Sequence, residues 1–563
     1  MVNLKAKTYK PAINLSLLAV CLLASVFLFN IHKIASFDYW THLAMGREFI
    51  NQGKISIAEP FLAGLKGQPA DITEWPFQLL IYAINQVGGA VLVSVFVAFI
   101  AVLTAIAYLP LLSKEPTKKI LGALFVGAVF FIARERYAPR PEVLVYLLFA
   151  IALTLAERWR GKPDFGKLAA IVSIFVCWAA LHVSWPLGVG AVMLTLLASP
   201  NIPFWRSAIT TGRGIFLSVV FGVLSLIGAL YIAKFAYSIF AGMAAGGNLA
   251  FISEMQPVWE FPEVAAKYAF GAFFALALAW GPSAGRLWRI LRWVAFLLLG
   301  ALAARNYGMA LLIMIPVALE GLNNSSFSSS AKTNRLFKGL AVALFALMVG
   351  VCSLDRDPEW GFGVHDELFP LKAAAFVQDK ELTPPIFNSF DIGGSLNWAW
   401  RGDPPTYIDP RSLGGKAHID LYELIMVGGS SLSKLDSEGI NTILIRSVFQ
   451  NSGRIYPLVH ILRVAKNWRL LDASDALVFT RATLSPEVET IDGSRLWSFV
   501  ERESRMITGL GREAPHAGYS RAVALLMLGN IEESRLLFKE AMEKAPLLKP
   551  YYYRYIAEVG LKP

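Results

Sequence analysis

An acidic residue stands at each end of one long loop between apolar stretches. The loop opens Phe37-Asp38-Tyr39-Trp40-Thr41-His42 and closes Thr73-Glu74-Trp75-Pro76. Each acid has a tryptophan close by, a side chain enriched where apolar and wet regions meet. A carboxylate held at such a boundary can take the proton of an acceptor hydroxyl. Asp38 is therefore the candidate general base, and Glu74 a second carboxylate that orients the acceptor or shares a divalent cation. Both have plainer readings. Asp38 also suits an interfacial charge or the cap of a helix over 41–50, and Glu74 a helix-start charge favoured by the dipole of the segment from Pro76. His42 lies four residues from Asp38 and shares its face if the helix starts there; hydrogen-bonding support is the commoner use of a lone histidine.

A second group is cationic. Arg134, Arg136 and Arg140 fall in Ala133-Arg134-Glu135-Arg136-Tyr137-Ala138-Pro139-Arg140-Pro141-Glu142. Guanidinium groups grip phosphate with two parallel hydrogen bonds, which suits the phosphate of a lipid carrier. Anchoring to anionic headgroups, or pairing with Glu135 and Glu142, is the alternative. Arg305, ahead of Asn306-Tyr307, is a further ionisable group at a membrane boundary. His182, before Ser184-Trp185-Pro186, and Glu254 and Gln256, in Glu254-Met255-Gln256-Pro257, are candidates to line a sugar or acceptor cavity. Ordinary loop polarity explains them as well.

The elements that position these residues are membrane spans. The 563 residues are 55% hydrophobic and 17% charged, with mean hydropathy +0.51, too apolar for a soluble globule of this length. Apolar stretches recur at 12–31, 88–111, 119–133, 141–157, 167–182, 186–198, 214–235, 264–281, 293–304, 306–319 and 337–353, about eleven spans. The shortest, 293–304 and 306–319, also fit a broken or re-entrant pair. Lys5, Lys7 and Lys10 make the N-terminus cytoplasmic, and alternate loops carry Lys114/Lys118/Lys119, Arg158/Arg160/Lys162/Lys167, Arg206/Arg213, Arg286/Arg289/Arg292 and Lys332/Arg335/Lys338. The net charge of +11 is thus a topology signal, with no call for a nucleic-acid partner. The first segment is longer than a signal-peptide core and no A-x-A site follows it, so it reads as part of the mature chain. Cys21, Cys177 and Cys352 have neither disulfide nor metal-ligand spacing.

From about 354 the composition becomes that of a soluble domain. Residues 385–388, 406–409, 440–445 and 477–480 read as short strands of an α/β unit. Asp391-Ile392-Gly393-Gly394 is a turn signal and weakly suggests phosphate binding. The expected organisation is a membrane domain over 1–353 with its outer loop at 33–76, an α/β domain over 354–484, and a helical tail over 485–563. In the tail, Leu528-Gly529, Phe538, Ala541 and Pro546 resemble one tetratricopeptide-like helix pair, with Ser534 where that repeat usually has Ala. One such pair cannot bury its own apolar face, so it packs on the α/β unit or holds a protein partner.

Taken together, Asp38-Tyr39-Trp40-Thr41-His42-Leu43-Ala44-Met45-Gly46-Arg47, Glu59-Pro60-Phe61, Glu74-Trp75, Arg140-Pro141-Glu142, Trp178-Ala179-Ala180-Leu181-His182, Glu254-Met255-Gln256-Pro257, Ala304-Arg305-Asn306 and Phe387-Asn388 carry a resemblance. Over 30–480 the chain resembles a bacterial family of polytopic proteins similar to glycosyltransferases of the C fold class (GT-C). The chain departs from the family at Thr73, Glu59-Pro60 and Val183, where His, Asp-Pro and Gly are frequent. The resemblance implies a GT-C-like bundle and inverting transfer of a sugar from a polyprenyl-phosphate donor, with Asp38 as base. Some members of the wider class also use a divalent metal ion.

The sequence therefore reads as an α-helical polytopic protein of the bacterial inner membrane, followed by a soluble α/β domain and a short helical tail. Its C-terminal part is expected to be noncytoplasmic, and its partners are membrane lipids, the lipid-linked donor and a glycan, lipid or protein acceptor. The alternative is a noncatalytic scaffold for envelope polysaccharide or pilus assembly that holds a protein through 485–563. A transporter fits less well, because the spans show no duplicated halves and few internal charges.

Overall fold

The apolar stretches are helical wherever the computed structural model describes them, which is over residues 15–55, 57–70, 74–197, 223, 253–281, 285–326, 331–354, 358–509 and 514–562. These helices are α1 (Leu15–Asn30), α3 (Trp75–Tyr108), α4 (Pro116–Ile132), α5 (Glu142–Gly161), α6 (Phe165–Leu181), α7 (Trp185–Leu197), α8 (Pro262–Ala279), α9 (Arg286–Ala301), α10 (Tyr307–Asn323) and α11 (Ala331–Leu354). The outer loop contributes α2 (Asp38–Gln52). Apart from residue 223, the stretch 214–235 lies outside the described residues. Among the described residues, three helical segments are long and apolar enough to cross a membrane, namely Trp75–Leu111, Pro262–Ala279 and Ala304–Asn323. Shorter apolar helices run over Leu18–Asn30, Phe165–Leu181, Trp185–Leu197 and Val342–Cys352. Helices thus stand at the expected places, while fewer than eleven have spanning length among the described residues. Charge at their ends is one reason: α5 closes with Glu157, Arg158 and Arg160.

The chain forms two compact units, Met1–Ile31 with Val95–Tyr137 and Pro141–Ser353, and His32–Ser94 with Ala138–Arg140 and Leu354–Pro563. The first is a helical bundle. Helix α9 leaves Leu287, Trp288, Leu291, Val294 and Leu298 exposed at three- and four-residue intervals, the stripe expected of a lipid-facing surface. Exposed Trp259 and Trp280 bracket α8, as in an aromatic belt. Three arginines read as topology signals are internal here. Arg160 pairs with Glu157 at 2.7 Å and Glu320 at 2.8 Å, Arg292 with Glu157 at 2.6 Å and with Glu320, and Arg289 is fully buried beside them. The network ties α5, α9 and α10 together, so part of the positive charge is structural.

The second unit joins the outer loop to the C-terminal segment. Lys33 N–H donates to the Glu359 carbonyl at 2.7 Å and Ile34 N–H to that of Gly363 at 2.7 Å. After α12 (Leu371–Asp379) come β1 (Ile386–Asn388), α13 (Gly393–Trp400), β2 (Thr442–Ile445), β3 (Trp468–Asp472) and β4 (Leu477–Arg481). The sheet order is β1-β2-β4-β3, with β1 and β2 parallel and the other pairs antiparallel. Val377, Ile386, Leu396, Trp400, Leu444 and Val478 form its core. The expected strand at 406–409 is not in this sheet. Thr406 instead pairs with the outer loop, its N–H donating to the Phe61 carbonyl and its carbonyl accepting from Ala63 N–H, both at 2.9 Å. Strand β3 was not expected, because Arg469 and Asp472 break its apolar alternation.

Beyond the sheet, helix Gly493–Gly509 is docked by Glu503, which takes the buried Arg446 guanidinium and, at 2.7 Å, the N–H of Ser447. Helices Ala517–Met527 and Ile531–Lys544 follow, and the Ser534 hydroxyl donates to the Ala522 carbonyl at 2.7 Å. A hydrogen bond between the helices thus occupies the position where a tetratricopeptide repeat carries alanine.

The turn Asp391-Ile392-Gly393-Gly394 is packed rather than open. A Cβ on Gly393 would lie 2.2 Å from the Ile408 carbonyl oxygen. Both Asp391 carboxylate oxygens are buried without a well-formed hydrogen bond. Burial pushes this carboxyl up to about 6, against the pull of Arg446 and with a smaller push from Glu503. A carboxyl raised by folding stabilises the fold below its ordinary value of 3.8, and that contribution is lost as pH rises through about 6. Relative to Asp391→Asn, the wild-type protein should lose roughly 3 kcal/mol between pH 4 and pH 7. Unfolding of both proteins across that range measures the difference; a pH-independent difference would return Asp391 to ordinary titration.

Candidate active site

Asp38 is the first residue of α2, where the helix dipole favours a carboxylate. Its Oδ2 lies 2.8 Å from Nε of Arg140, which also donates to the Ser36 hydroxyl at 3.0 Å. The Asp38 side chain remains 35% exposed. One turn on, His42 is buried against the Phe77 ring, with Nδ1 3.9 Å from Glu74 Oε2. The second unit thus brings Asp38 to Arg140, and His42 to Glu74.

The loop after α2 is fixed from its far side. Arg411 directs Nη1 and Nη2 at the two oxygens of Glu59, at 2.7 and 2.8 Å, and its Nε donates to Asp409 Oδ2 at 2.9 Å. Glu59 also accepts from the N–H groups of Phe61 and Leu62, at 3.0 and 3.3 Å. Asp409 and Arg411 were absent from the candidate residues. Their signal was an acid and an arginine around Pro410 in a stretch read as an apolar strand.

The first unit holds the other candidates. Arg134 turns inward at the end of α4, donating to the Phe131 carbonyl at 3.0 Å with its guanidinium 4.5 Å from that ring centre. Arg136 meets Glu254 at 3.3 Å, and Lys267 meets Glu135 at 2.6 Å. The Gln256 carbonyl accepts from Ala304 N–H at 2.8 Å, which lays its segment beside the turn that carries Arg305. Arg305 Nη2 donates to Glu142 Oε1 at 2.8 Å, and His182 Nε2 is 3.8 Å from the same oxygen. His182 Nδ1 receives the Ser184 N–H at 3.2 Å and lies 2.7 Å from the Ser184 hydroxyl. With Nδ1 accepting, the network assigns the ring proton to Nε2, on the Glu142 side.

Glu142, Tyr146, His182, Ser184, Arg305 and Asn306 line a cavity whose open space, counted out through its mouth into solvent, is about 730 Å³. Of these, Glu142, Tyr146, Ser184 and Asn306 were not named as site residues, though Glu142 ends an Arg-Pro-Glu motif, Ser184 closely follows His182 and Asn306 follows Arg305. Arg305 uses Nη2 on Glu142, and its Nη1 lies 3.8 Å from the Met255 sulfur. A guanidinium has five N–H donors, so an oxyanion in the cavity can be gripped beside the carboxylate. A divalent ion is not matched in this way. Among the described residues no group of three or more His, Cys, Asp or Glu can hold a metal ion, and Asp38 already receives a guanidinium.

No family model matches the chain, and no curated protein matches it. Among the solved structures similar to it are the following two. The arabinofuranosyltransferase AftD from Mycobacteria has TM-score 0.40 and 14% identity, over 84% of this chain and 40% of that one. ArnT from Cupriavidus metallidurans, bound to undecaprenyl phosphate, has TM-score 0.41 and 12% identity, over 84% of this chain and 98% of that one. The chain therefore spans about two fifths of the length of the arabinofuranosyltransferase.

The geometry separates the arginines: Arg305 lines the cavity, Arg136 pairs with Glu254, and Arg134 lies on Phe131. Replacing Arg305 or Arg136 with Lys removes the planar fork. Affinity for an alkyl phosphate, used as an oxyanion probe, should fall roughly tenfold, about 1.4 kcal/mol, for each. Arg134→Lys, whose side chain is turned onto Phe131, should bind as wild type does. Unchanged binding in Arg305→Lys and Arg136→Lys would leave these residues as partners of Glu142 and Glu254 only.

Proposed function

We propose that this protein is an integral membrane glycosyltransferase of the bacterial inner membrane. It moves a sugar from a polyprenyl-phosphate-linked donor to an envelope lipid, glycan or protein on the noncytoplasmic face. The observation that carries the reading is the Asp38–Arg140 pair. A partly exposed carboxylate at a helix start is aimed by an arginine that follows helix α4 in sequence.

In this mechanism Asp38 takes the proton of the acceptor hydroxyl as its oxygen forms the new bond to the anomeric carbon. The bond from that carbon to the phosphate oxygen breaks, its electron pair goes to the phosphate, and polyprenyl phosphate leaves. Attack opposite the leaving group inverts the anomeric centre. Arg140 orients the base. In the first unit, Arg305 in its cavity and Arg136 beside Glu254 have the chemistry to hold a phosphate and offset the charge that grows on it as a sugar departs. His182, with Nε2 protonated, adds a donor in the same cavity, while Glu254 and Gln256 shape its approach. Glu74 and His42 orient the acceptor.

Asp38→Asn keeps size while removing the basic carboxylate. Transfer should fall by roughly 10²-fold or more. Folding should change little, because a partly exposed ion pair contributes only about 0–1 kcal/mol. Purified Asn variant with near-wild-type transfer would exclude Asp38 as the base; a scaffold would tolerate the change.

A further inference from the structure

Helix α13 begins with Gly393-Gly394, and the second glycine faces the helix that carries Asp38. A Cβ on Gly394 would lie 2.4 Å from Thr41 Oγ1, 3.0 Å from the Phe37 carbonyl oxygen and 3.2 Å from the Thr41 nitrogen. Phe37 and Thr41 flank Asp38, so the absent side chain is what lets the first turn of α2 lie where it does. The Thr41 hydroxyl is buried there without a hydrogen-bond partner, so its position is set by packing alone.

The same two helices meet again further along. Arg47 donates from Nη1 to the Trp398 carbonyl at 2.8 Å and from Nη2 to the Asn397 carbonyl at 3.1 Å. Those are among the last carbonyls of α13, and that of Asn397 also accepts from the Arg401 N–H at 3.2 Å. The guanidinium also lies 4.6 Å from the Trp398 ring centre. Asn397 in turn donates to Asp409 at 2.8 Å and accepts from the Thr406 hydroxyl at 2.8 Å. Helix α2 is therefore seated on α13 at its start and near its end.

We propose that Gly394 and Arg47 are positioning residues for Asp38: helix α13 of the C-terminal segment sets where the base stands. This rests on the reading of Asp38 as the base. Displacing a reacting group by about 1 Å can cost on the order of 10²-fold in rate. A methyl group at Gly394 would meet the Thr41 hydroxyl at 2.4 Å, with the Phe37 carbonyl oxygen and the Thr41 nitrogen tight behind it at 3.0 and 3.2 Å, so the first turn of α2 must give way unless that hydroxyl is removed.

The test uses the full-length protein in detergent, a panel of undecaprenyl-phosphate monosaccharides as donors and an envelope extract as acceptor. Gly394→Ala, Thr41→Ala, the double variant, Arg47→Lys and Asp38→Asn are compared for kcat, KM and thermal unfolding. Gly394→Ala should lose at least tenfold in kcat with KM for the donor unchanged. Thr41→Ala should stay near wild type, and the double variant should recover much of the loss. Should Gly394→Ala fail to fold, Arg47→Lys reads the other end of the contact, with a several-fold fall in kcat. A folded Gly394→Ala with wild-type kcat, or a loss that Thr41→Ala does not relieve, overturns the inference while Asp38→Asn stays inactive. An active Asp38→Asn overturns the underlying reading.

Discussion

A guanidinium enclosed by two carboxylates holds the outer loop to the C-terminal segment. Glu59 and Asp409 are 1% and 0% exposed, and Arg411 between them 12%. Charges this far from water are tolerated only when hydrogen-bonded throughout, and here they are. Arg411 uses its fork on Glu59, while Asn397 and the Arg411 N–H complete Asp409. Losing one partner of such a group typically costs about 3–5 kcal/mol, far more than an exposed pair contributes. The loop's own core of Ala44, Met45, Phe49, Ile57 and Phe61 is small. The ion cluster therefore decides where α2, and Asp38 with it, comes to rest.

The same contrast of burial sorts the remaining charges by what they can do. Arg160, Arg289 and Arg292 are enclosed with Glu157 and Glu320 and serve the bundle. Arg305, 28% exposed, and Asp38, 35% exposed, keep access to solvent. Reacting groups need that access, whereas structural ones do not. Pairing with one partner each fixes Asp38 and Arg305 in orientation without enclosing them.

Local signals in the sequence were legible where local physics decides. The helix after Asp38 follows from its apolar spacing and acidic start, and β1, β2 and β4 from short apolar runs. What failed was long-range. Thr406-Tyr407-Ile408-Asp409 has the composition of a strand, yet Thr406 bonds to Phe61 and Ala63, more than three hundred residues earlier, and Tyr407 and Ile408 to the Asn388 side chain. Gly393-Gly394 looks like a phosphate turn because glycine permits close approach, and what approaches is the protein's own backbone. Arg134 and Arg140 share a sequence cluster with Arg136, but one turns onto Phe131 and another onto Asp38. Arg305, His182 and Glu254 were named as candidates from residue type, whereas Glu142, which two of them face, was only a motif member.

Sugar transfer from a lipid-linked donor has a consequence in the cell that neither a scaffold nor a transporter shares. Mass spectrometry of envelope lipids and glycoconjugates from a strain lacking this protein measures it directly. The account predicts that one glycosyl residue disappears from an envelope glycan, lipid or protein while a polyprenyl-phosphate-linked monosaccharide accumulates. An unchanged envelope, or loss of an entire polymer with no lipid-linked sugar accumulating, would contradict it.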